Sequence, residues 1–247
     1  MRIKCISCEA LARIVYHCAA HSPHMVDVSL LQIGLHDKPD DLRGRLQREI
    51  DDSDGEGYDV LALAYGLCGK ASEGITARNT PLVMPRAHDC ITLFLGGRDR
   101  YESEFNRCPG TYWYALDYLE RSGRYGSVMG LGAGLTDVSA VYDDYVKKFG
   151  KDNADYLMEV MSAWQSHYTR AVFIDMGIGD GKEIESRAEE DALRRGWTYE
   201  RMAGDLILIR RLLNGDWEED FLTVPPGQRV RMVATGEVMR AVGADED

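Results

Sequence analysis

The sequence of residues 58–69 is YDVLALAYGLCG, a nearly continuous apolar run that ends in a glycine-rich turn. Such a run is typical of a strand that is buried on both faces of a parallel sheet. Other strand-like segments lie at 2–7, 26–33 and 81–85, and each of these three is followed by a helical pattern. We therefore expect an α/β fold, with a doubly wound, mostly parallel sheet built from Rossmann-like βαβ units.

The second half of the chain continues this pattern after a different middle section. Residues 106–169 begin with an aromatic-rich stretch and carry mainly helical patterns, and strand and helix patterns resume over 170–235. We expect a single domain, 1–247, in which 1–105 and 170–235 could form sub-lobes around the helical segment. A helical insertion in one sheet and a second βαβ lobe both fit this pattern.

Composition excludes several classes of function. The net charge of −12, from 41 acidic and 29 basic residues, would repel a nucleic-acid backbone, so no nucleic-acid partner is expected. No apolar stretch is long enough to span a membrane, and the first residues lack the apolar core of a signal peptide. We expect a cytoplasmic protein that does not bind a membrane.

Cysteine usage points toward a metal site. The six cysteines all lie within the first 108 residues, and in a reducing cytosol such clustering favours metal binding or catalysis over disulfides. Cys5, Cys18 and Cys108 lie inside a strand, inside a helix and in a loop, so no role is expected for them.

Four candidate metal ligands stand where predicted strands end: Cys8, Cys68, His88 and Cys90. The carboxyl ends of parallel strands share one edge of the sheet, and open α/β sheets bind ligands at that edge. One residue separates His88 from Cys90, so in an extended segment both side chains would point the same way. Three thiolates with an imidazole suit zinc or an iron–sulfur cluster. The alternative is that the cysteines are small buried side chains at crowded strand ends.

Three neighbouring side chains are candidates for catalysis. Glu9 and Asp89 each adjoin a predicted ligand and could act as a further ligand, an orienting group or a general base. Glu9 is also explained by the positive N-terminus of the first predicted helix. Arg86 precedes His88 by two residues and could bind an anionic group of a substrate.

A glycine-rich turn, GIGDGK at 177–182, follows a predicted strand and precedes a helix. The backbone amides of Gly177, Gly179 and Gly181 could bind the phosphate or carboxylate of a cofactor. The segment departs from the dinucleotide-binding pattern G-x-G-x-x-G, and a plain tight turn explains it as well.

The segments YGLCG (65–69) and PRAHDCITLFLGGRDRY (85–101) resemble the family known as domain of unknown function 1638. Three further segments resemble it, namely SCEAL (7–11), PGTYWY (109–114) and GDWEEDFLTVPPG (215–227). The resemblance therefore extends over nearly the whole chain. ALDYLER, after PGTYWY, departs from the proline–glycine–tryptophan turn of the family, so this loop is expected to differ.

The resemblance implies a site but no assigned reaction. The cysteines of the family match Cys8, Cys68 and Cys90, and its histidine matches His88. Members look like partners of corrinoid-dependent methyl transfer in anaerobes. This implies a corrinoid protein or a methyltransferase as a partner, and a corrinoid reached through that partner.

Three functions fit these observations. The first is a zinc- or iron-dependent enzyme that acts on a small molecule by methyl or sulfur transfer, with Cys68, His88 and Cys90 holding the metal. The second is an iron–sulfur protein with a three-cysteine cluster, and the third is a non-enzymatic accessory of a metal or corrinoid protein. Catalytic zinc keeps one open position, so the role of Cys8 separates an open catalytic site from a closed structural one.

Overall fold

The structure is a computed structural model, and it describes residues 1–122, 146, 150, 151, 153, 167–233 and 237–243. The chain divides into two units. The first comprises Met1–Tyr101, Met176–Gly179 and Ala203–Asp247, and the second comprises Glu102–Asp175 and Asp180–Met202. These bounds differ from the predicted sub-lobes, because the chain returns to the first unit at Ala203.

Strands and helices alternate along the described part of the chain. The strands are β1 (Arg2–Cys8), β2 (Met25–Leu31), β3 (Val60–Ala64), β4 (Leu82–Pro85), β5 (Thr111–Ala115), β6 (Arg170–Asp175), β7 (Thr198–Ala203), β8 (Phe221–Val224), β9 (Gln228–Met232) and β10 (Met239–Gly243). The helices whose ends are described are α1 (Ala12–Ala20), α2 (Pro39–Ser53), α3 (Cys90–Leu95), α4 (Arg98–Arg107), α5 (Leu116–Ser122), α6 (Lys182–Arg194) and α7 (Ile207–Asn214). Short 3-10 turns precede α1 and α2. This order confirms the predicted mixed α/β class.

The first unit is built on a five-stranded sheet with the order β2-β1-β3-β4-β8. Strands β1 to β4 run parallel, and β8 pairs antiparallel with β4. The sheet is therefore mostly parallel, as predicted. From β1 the chain moves to β2 on one side and then to β3 on the other, so the strand order reverses at β1. Crevices outside the carboxyl ends of open sheets form at such reversals.

Helices cover both faces of this sheet. Leu42 and Leu46 of α2 pack with Ile6 of β1 in one buried apolar cluster. On the opposite face, burial and the nearby Cys18 of α1 raise the pKa of Cys5 to about 12. Because successive strand residues point to opposite faces, Cys5 and Ile6 mark the sides that α1 and α2 cover. β3 is apolar throughout because all five of its residues are buried.

A two-stranded antiparallel sheet, β9 with β10, completes the first unit. Gly74 donates to the carbonyl oxygen of Val230 at 2.7 Å, which ties this hairpin to the loop before β4. Val230 and Met239 join the apolar cluster under α2. The sequence pattern does not predict β10, whose five residues alternate only weakly.

The second unit contains a three-stranded sheet with the order β5-β6-β7, in which β5 and β6 are parallel. All five residues of β5 are buried, and Tyr112 and Tyr114 pack there with Phe173 and Trp197. The expectation of a helical segment over 106–169 is therefore wrong at β5, because aromatic side chains fit a strand covered on both faces. Residues 123–145 and most of 147–166, which complete that expectation, lie outside the described residues.

None of the helices described has the length and apolar character needed to cross a membrane.

Candidate functional site

Three cysteines lie at the carboxyl ends of three neighbouring strands. Cys8 is the last residue of β1, Cys68 lies in the loop after β3, and Cys90 begins α3 after β4. Because β1, β3 and β4 are adjacent in the sheet, segments far apart in sequence meet at one edge.

The sulfur of Cys8 is held at the start of the short 3-10 turn Glu9–Leu11. It accepts a hydrogen bond from the backbone N–H of Ala10 at 3.5 Å. Cys8 is partly buried and packs against the apolar cluster under α2, and Cys68 packs against the same cluster. Both cysteines therefore lie on the α2 face of the sheet.

The loops that follow β3 and β4 are joined by backbone contacts. Cys68 donates its N–H to the carbonyl oxygen of His88 at 2.9 Å. Gly66 lies so close to this second loop that a Cβ there would come within 2.8 Å of the backbone nitrogen of Asp89. No side chain fits at position 66 without a shift of backbone, so the glycine allows the two loops to touch.

The turn that carries Cys68 has unusual backbone angles. Cys68, Gly69 and Lys70 have φ of 44°, 66° and 73°, a region that side chains other than glycine rarely adopt. Each non-glycine residue there costs about 1–3 kcal/mol and persists only where its surroundings hold it. Here the buried hydroxyl of Ser72 donates to the carbonyl oxygen of Gly66 at 3.0 Å and closes the turn.

Asp89 positions Cys90. Its Oδ1 accepts hydrogen bonds from the N–H and the hydroxyl of Thr92, at 3.2 Å and 3.3 Å, and so caps α3. Burial raises the pKa of Asp89, although the bonds from Thr92 oppose this. The capping bonds explain a carboxylate at this place and fix where Cys90 begins the helix.

The three thiols are partly buried and lie near one another. Burial and then the neighbouring Cys8 and Asp89 raise the pKa of Cys68 to about 12. The pKa of Cys90 is raised well above its usual value by burial, and next by Cys68, Asp89 and Cys8. Like charges raise one another's pKa only where they lie close together. Without a nearby cation, Cys68 and Cys90 are protonated at neutral pH.

Two predicted site residues lie differently from the expectation. His88 is exposed, whereas the three cysteines are partly buried. The guanidinium of Arg86 donates to the carbonyl oxygens of Phe221 and Glu237, both at 3.1 Å, and to that of Met239. Arg86 thus ties β4 to β8 and β10, and the anion contact expected for it stays a prediction.

Glu9 and the glycines of 177–182 also have local structural roles. The Oε2 atom of Glu9 accepts a hydrogen bond from the N–H of Ile33 at 3.2 Å, which links the turn after β1 to the loop after β2. Gly177 and Gly179 have φ of 66° and 86° and therefore suit a tight turn. Gly181 precedes α6, and a Cβ there would meet Phe173 at 3.5 Å. A cofactor at these glycines stays a prediction.

The family model for proteins of unknown function DUF1638 matches residues 30–213. The chain belongs to this family. The matched segment includes Cys68, His88 and Cys90 and begins after Cys8. No curated protein and no solved structure matches the chain.

In this DUF1638 protein the donor set suits a thiophilic metal, because three sulfur atoms lie in one region. Across the part of the chain that the structure describes, no three His, Cys, Asp or Glu side chains already form a group that could hold a metal ion. Metal binding would therefore require at least one of Cys8, Cys68 and Cys90 to turn its side chain.

Tyr65 is a further site residue of this DUF1638 protein that the sequence pattern does not single out. The parallel register pairs Ser7 with Ala64, so the next residues, Cys8 and Tyr65, are side by side on one face. Tyr65 is 3% exposed, and its hydroxyl has no hydrogen-bond partner among the described residues. Burial, followed by the nearby Cys8 and Cys68 and by a contact of the hydroxyl with the Cys8 side chain, raises its pKa. The feature of the sequence that could have indicated Tyr65 is its position directly after the apolar run of β3.

Proposed function

We propose that this DUF1638 protein binds a zinc ion through Cys8, Cys68 and Cys90 and uses it to act on a small molecule. The proposal is supported by three partly buried cysteines, from three separate segments, that lie near one another at the edge where the strand order reverses. Cys5 offers a contrast, since it is fully buried on the α1 face, where Cys18 is its neighbouring thiol.

The surroundings of the cysteines favour a bound cation. Cys8 and Cys68 pack against an apolar cluster, where thiolates would be costly without a compensating positive charge. Zinc binds cysteines as thiolates and releases their protons. The joined loops and the capped start of α3 hold the backbone of Cys68 and Cys90, so binding would need side-chain rotation alone.

Three thiolates leave one position open for a substrate atom, as in catalytic zinc sites. A zinc ion there would lower the pKa of a bound thiol or water and so supply a nucleophile for methyl or sulfur transfer. His88 is exposed on the same loop and could close the fourth position when no substrate is bound. The resemblance to partners of corrinoid-dependent methyl transfer supports methyl transfer, with a corrinoid protein or methyltransferase as the partner. We place this activity in the cytoplasm, where such thiols stay reduced.

The metal content of protein purified without oxygen tests this proposal. We expect about one zinc per chain in the wild type, and loss of most of it in Cys8→Ser, Cys68→Ser and Cys90→Ser. Cys18→Ser is the matched control, because this thiol lies on the α1 face, and it should keep its metal. A wild type without stoichiometric metal, or a Cys68→Ser variant that retains it, contradicts the proposal. Iron with acid-labile sulfide would instead indicate the three-cysteine cluster.

A further inference from the structure

Tyr65 carries a buried hydroxyl without a hydrogen-bond partner among the described residues. Its Oη is one of four buried side-chain polar atoms without a hydrogen-bond partner in the described part of the chain. The other three are Nε atoms of Arg2, Arg43 and Arg121, and each of these arginines has an ion pair with a carboxylate. Tyr65 differs because its hydroxyl is the only polar atom of the side chain.

An unsatisfied buried hydroxyl lowers stability, because it has lost its hydrogen bonds to water. A phenylalanine would fill the same space without that loss. A hydroxyl at such a position can be satisfied by an acceptor that another state of the site supplies.

The groups near this hydroxyl include the sulfur atoms of Cys8 and Cys68. Cys8 is the neighbour of Tyr65 across the sheet by register, and Cys8 and Cys68 both pack against the cluster that contains Tyr65. A neutral thiol is a weak acceptor, so the contact between the Tyr65 hydroxyl and Cys8, which adds to the raised pKa of Tyr65, falls short of a full hydrogen bond. A thiolate is a much stronger acceptor, since hydrogen bonds to ionised groups are roughly twice as strong.

We propose that Tyr65 is a positioning residue that donates its O–H to the sulfur of Cys8 when Cys8 is a metal-bound thiolate. This inference rests on the metal site proposed above. The sulfur of Cys8 already accepts the N–H of Ala10 at 3.5 Å, so the bound thiolate would receive two donors. Such donors around a metal ligand fix its direction and tune its electron donation.

Cobalt(II) in place of zinc makes this hydrogen bond measurable, because its sulfur-to-metal charge-transfer absorption depends on the donor strength of the sulfur. Metal-free wild type and Tyr65→Phe are titrated with cobalt(II) without oxygen, and both the affinity and the charge-transfer energy are recorded. We expect Tyr65→Phe to bind cobalt(II) about 10-fold more weakly. Its absorption should move to longer wavelength, because a sulfur without the hydrogen bond is a stronger donor.

Tyr58→Phe is the matched control. The hydroxyl of Tyr58 donates to Asp27 at 3.0 Å. Tyr58 lies before β3, whereas Tyr65 lies directly after it. Removal of that hydroxyl should change neither the cobalt(II) affinity nor the charge-transfer energy. In a Cys8→Ser background, Tyr65→Phe should have no further effect, because the two residues act through one bond.

Thermal melting of the metal-free proteins distinguishes a purely structural role of the Tyr65 hydroxyl from a role in the metal-bound site. We expect metal-free Tyr65→Phe to melt at or above the wild-type temperature, because the hydroxyl has no partner in that state. A clear drop in melting temperature would show that the hydroxyl is already bonded, and it would overturn the inference.

The remaining outcomes distinguish the inference from the proposed function. Equal cobalt(II) affinity and equal charge-transfer energy in wild type and Tyr65→Phe would overturn the role of Tyr65 and leave the metal site standing. Weaker binding with an unchanged spectrum would also overturn it, since loss of fit alone would explain that result. A wild type that binds no cobalt(II) would overturn the metal site and the inference together.

Discussion

The backbone N–H of Cys68 donates to the carbonyl oxygen of His88 at 2.9 Å. This bond extends the contact between β3 and β4 beyond the ends of both strands. It brings together the two loops that supply Cys68 and Cys90, so this junction is part of the fold itself.

Gly66→Ala should disrupt this junction. The added Cβ would lie 2.8 Å from the nitrogen of Asp89 and 2.9 Å from the carbonyl oxygen of Ala87, and overpacking against backbone lowers stability by about 1–3 kcal/mol. Urea unfolding followed by circular dichroism measures the change. Gly97→Ala is the control, because a Cβ there meets nothing within 4 Å. Equal stability of the two variants would show that the loops do not touch.

Lys70→Gly should stabilise the protein. Lys70 is exposed and has a φ of 73°, so glycine removes the backbone strain and loses little packing. We expect the free energy of unfolding to rise by about 1 kcal/mol, whereas Lys70→Ala should give no gain. Chemical denaturation of both variants checks this, and a less stable Lys70→Gly would contradict the strained turn.

Asp191→Asn should destabilise the second unit in a pH-dependent way. Asp191 is 1% exposed, and although burial opposes its charge, bonds from Tyr114, Arg194 and Arg195 hold its pKa below the usual carboxyl value. A group whose pKa is lowered by folding contributes stability above its unfolded pKa and loses it as pH falls through the folded pKa. We expect the free energy of unfolding of Asp191→Asn to be about 3 kcal/mol lower than that of the wild type at pH 7. This difference should become smaller below about pH 4, where the carboxyl group of the wild type becomes protonated.

Urea unfolding of wild type and Asp191→Asn across this pH range measures the effect. Asp180→Asn serves as the control, because Asp180 is exposed and should change stability by less than about 0.5 kcal/mol. A stability difference that stays constant down to pH 2 would mean that the charge of Asp191 does not stabilise the fold.

Cys108 should be more reactive than Cys68 in the metal-free protein at neutral pH. Burial opposes the thiolate of Cys108, but hydrogen bonds with Thr169 and Thr111 outweigh it and lower its pKa. Because thiolates react and thiols do not, brief iodoacetamide treatment should label Cys108 first, whereas Cys68 and Cys5, with pKa values raised to about 12, should react slowly. Peptide mass spectrometry measures the order in which the cysteines are labelled. Faster labelling of Cys68 than of Cys108 would contradict the prediction.

The sequence is most informative where cysteines recur at the ends of strand-like segments. The apolar run of β3 and its flanking cysteine predict both a buried parallel strand and a ligand edge, because parallel strands share their carboxyl side. By contrast, β5 continues into α5 without a turn residue between Ala115 and Leu116, so no breaker marks the strand.

Other features depend on partners that are distant in sequence. Arg86 bonds to carbonyl oxygens beyond residue 220, and no local pattern indicates which segment will lie there. Tyr65 matters because the register places Cys8 beside it, and register follows from the assembled sheet. These contacts could not be predicted from the sequence, because they depend on the order and register of the strands in the sheet.

X-ray absorption at the zinc edge of anaerobically purified wild type tests the thiolate metal site itself. We predict a first coordination shell with three sulfur atoms at about 2.3 Å and one lighter atom, and loss of most of the zinc signal in Cys68→Ser. Protein that contains no bound metal, or a metal surrounded only by oxygen and nitrogen, would contradict a thiolate metal site at the edge of this sheet.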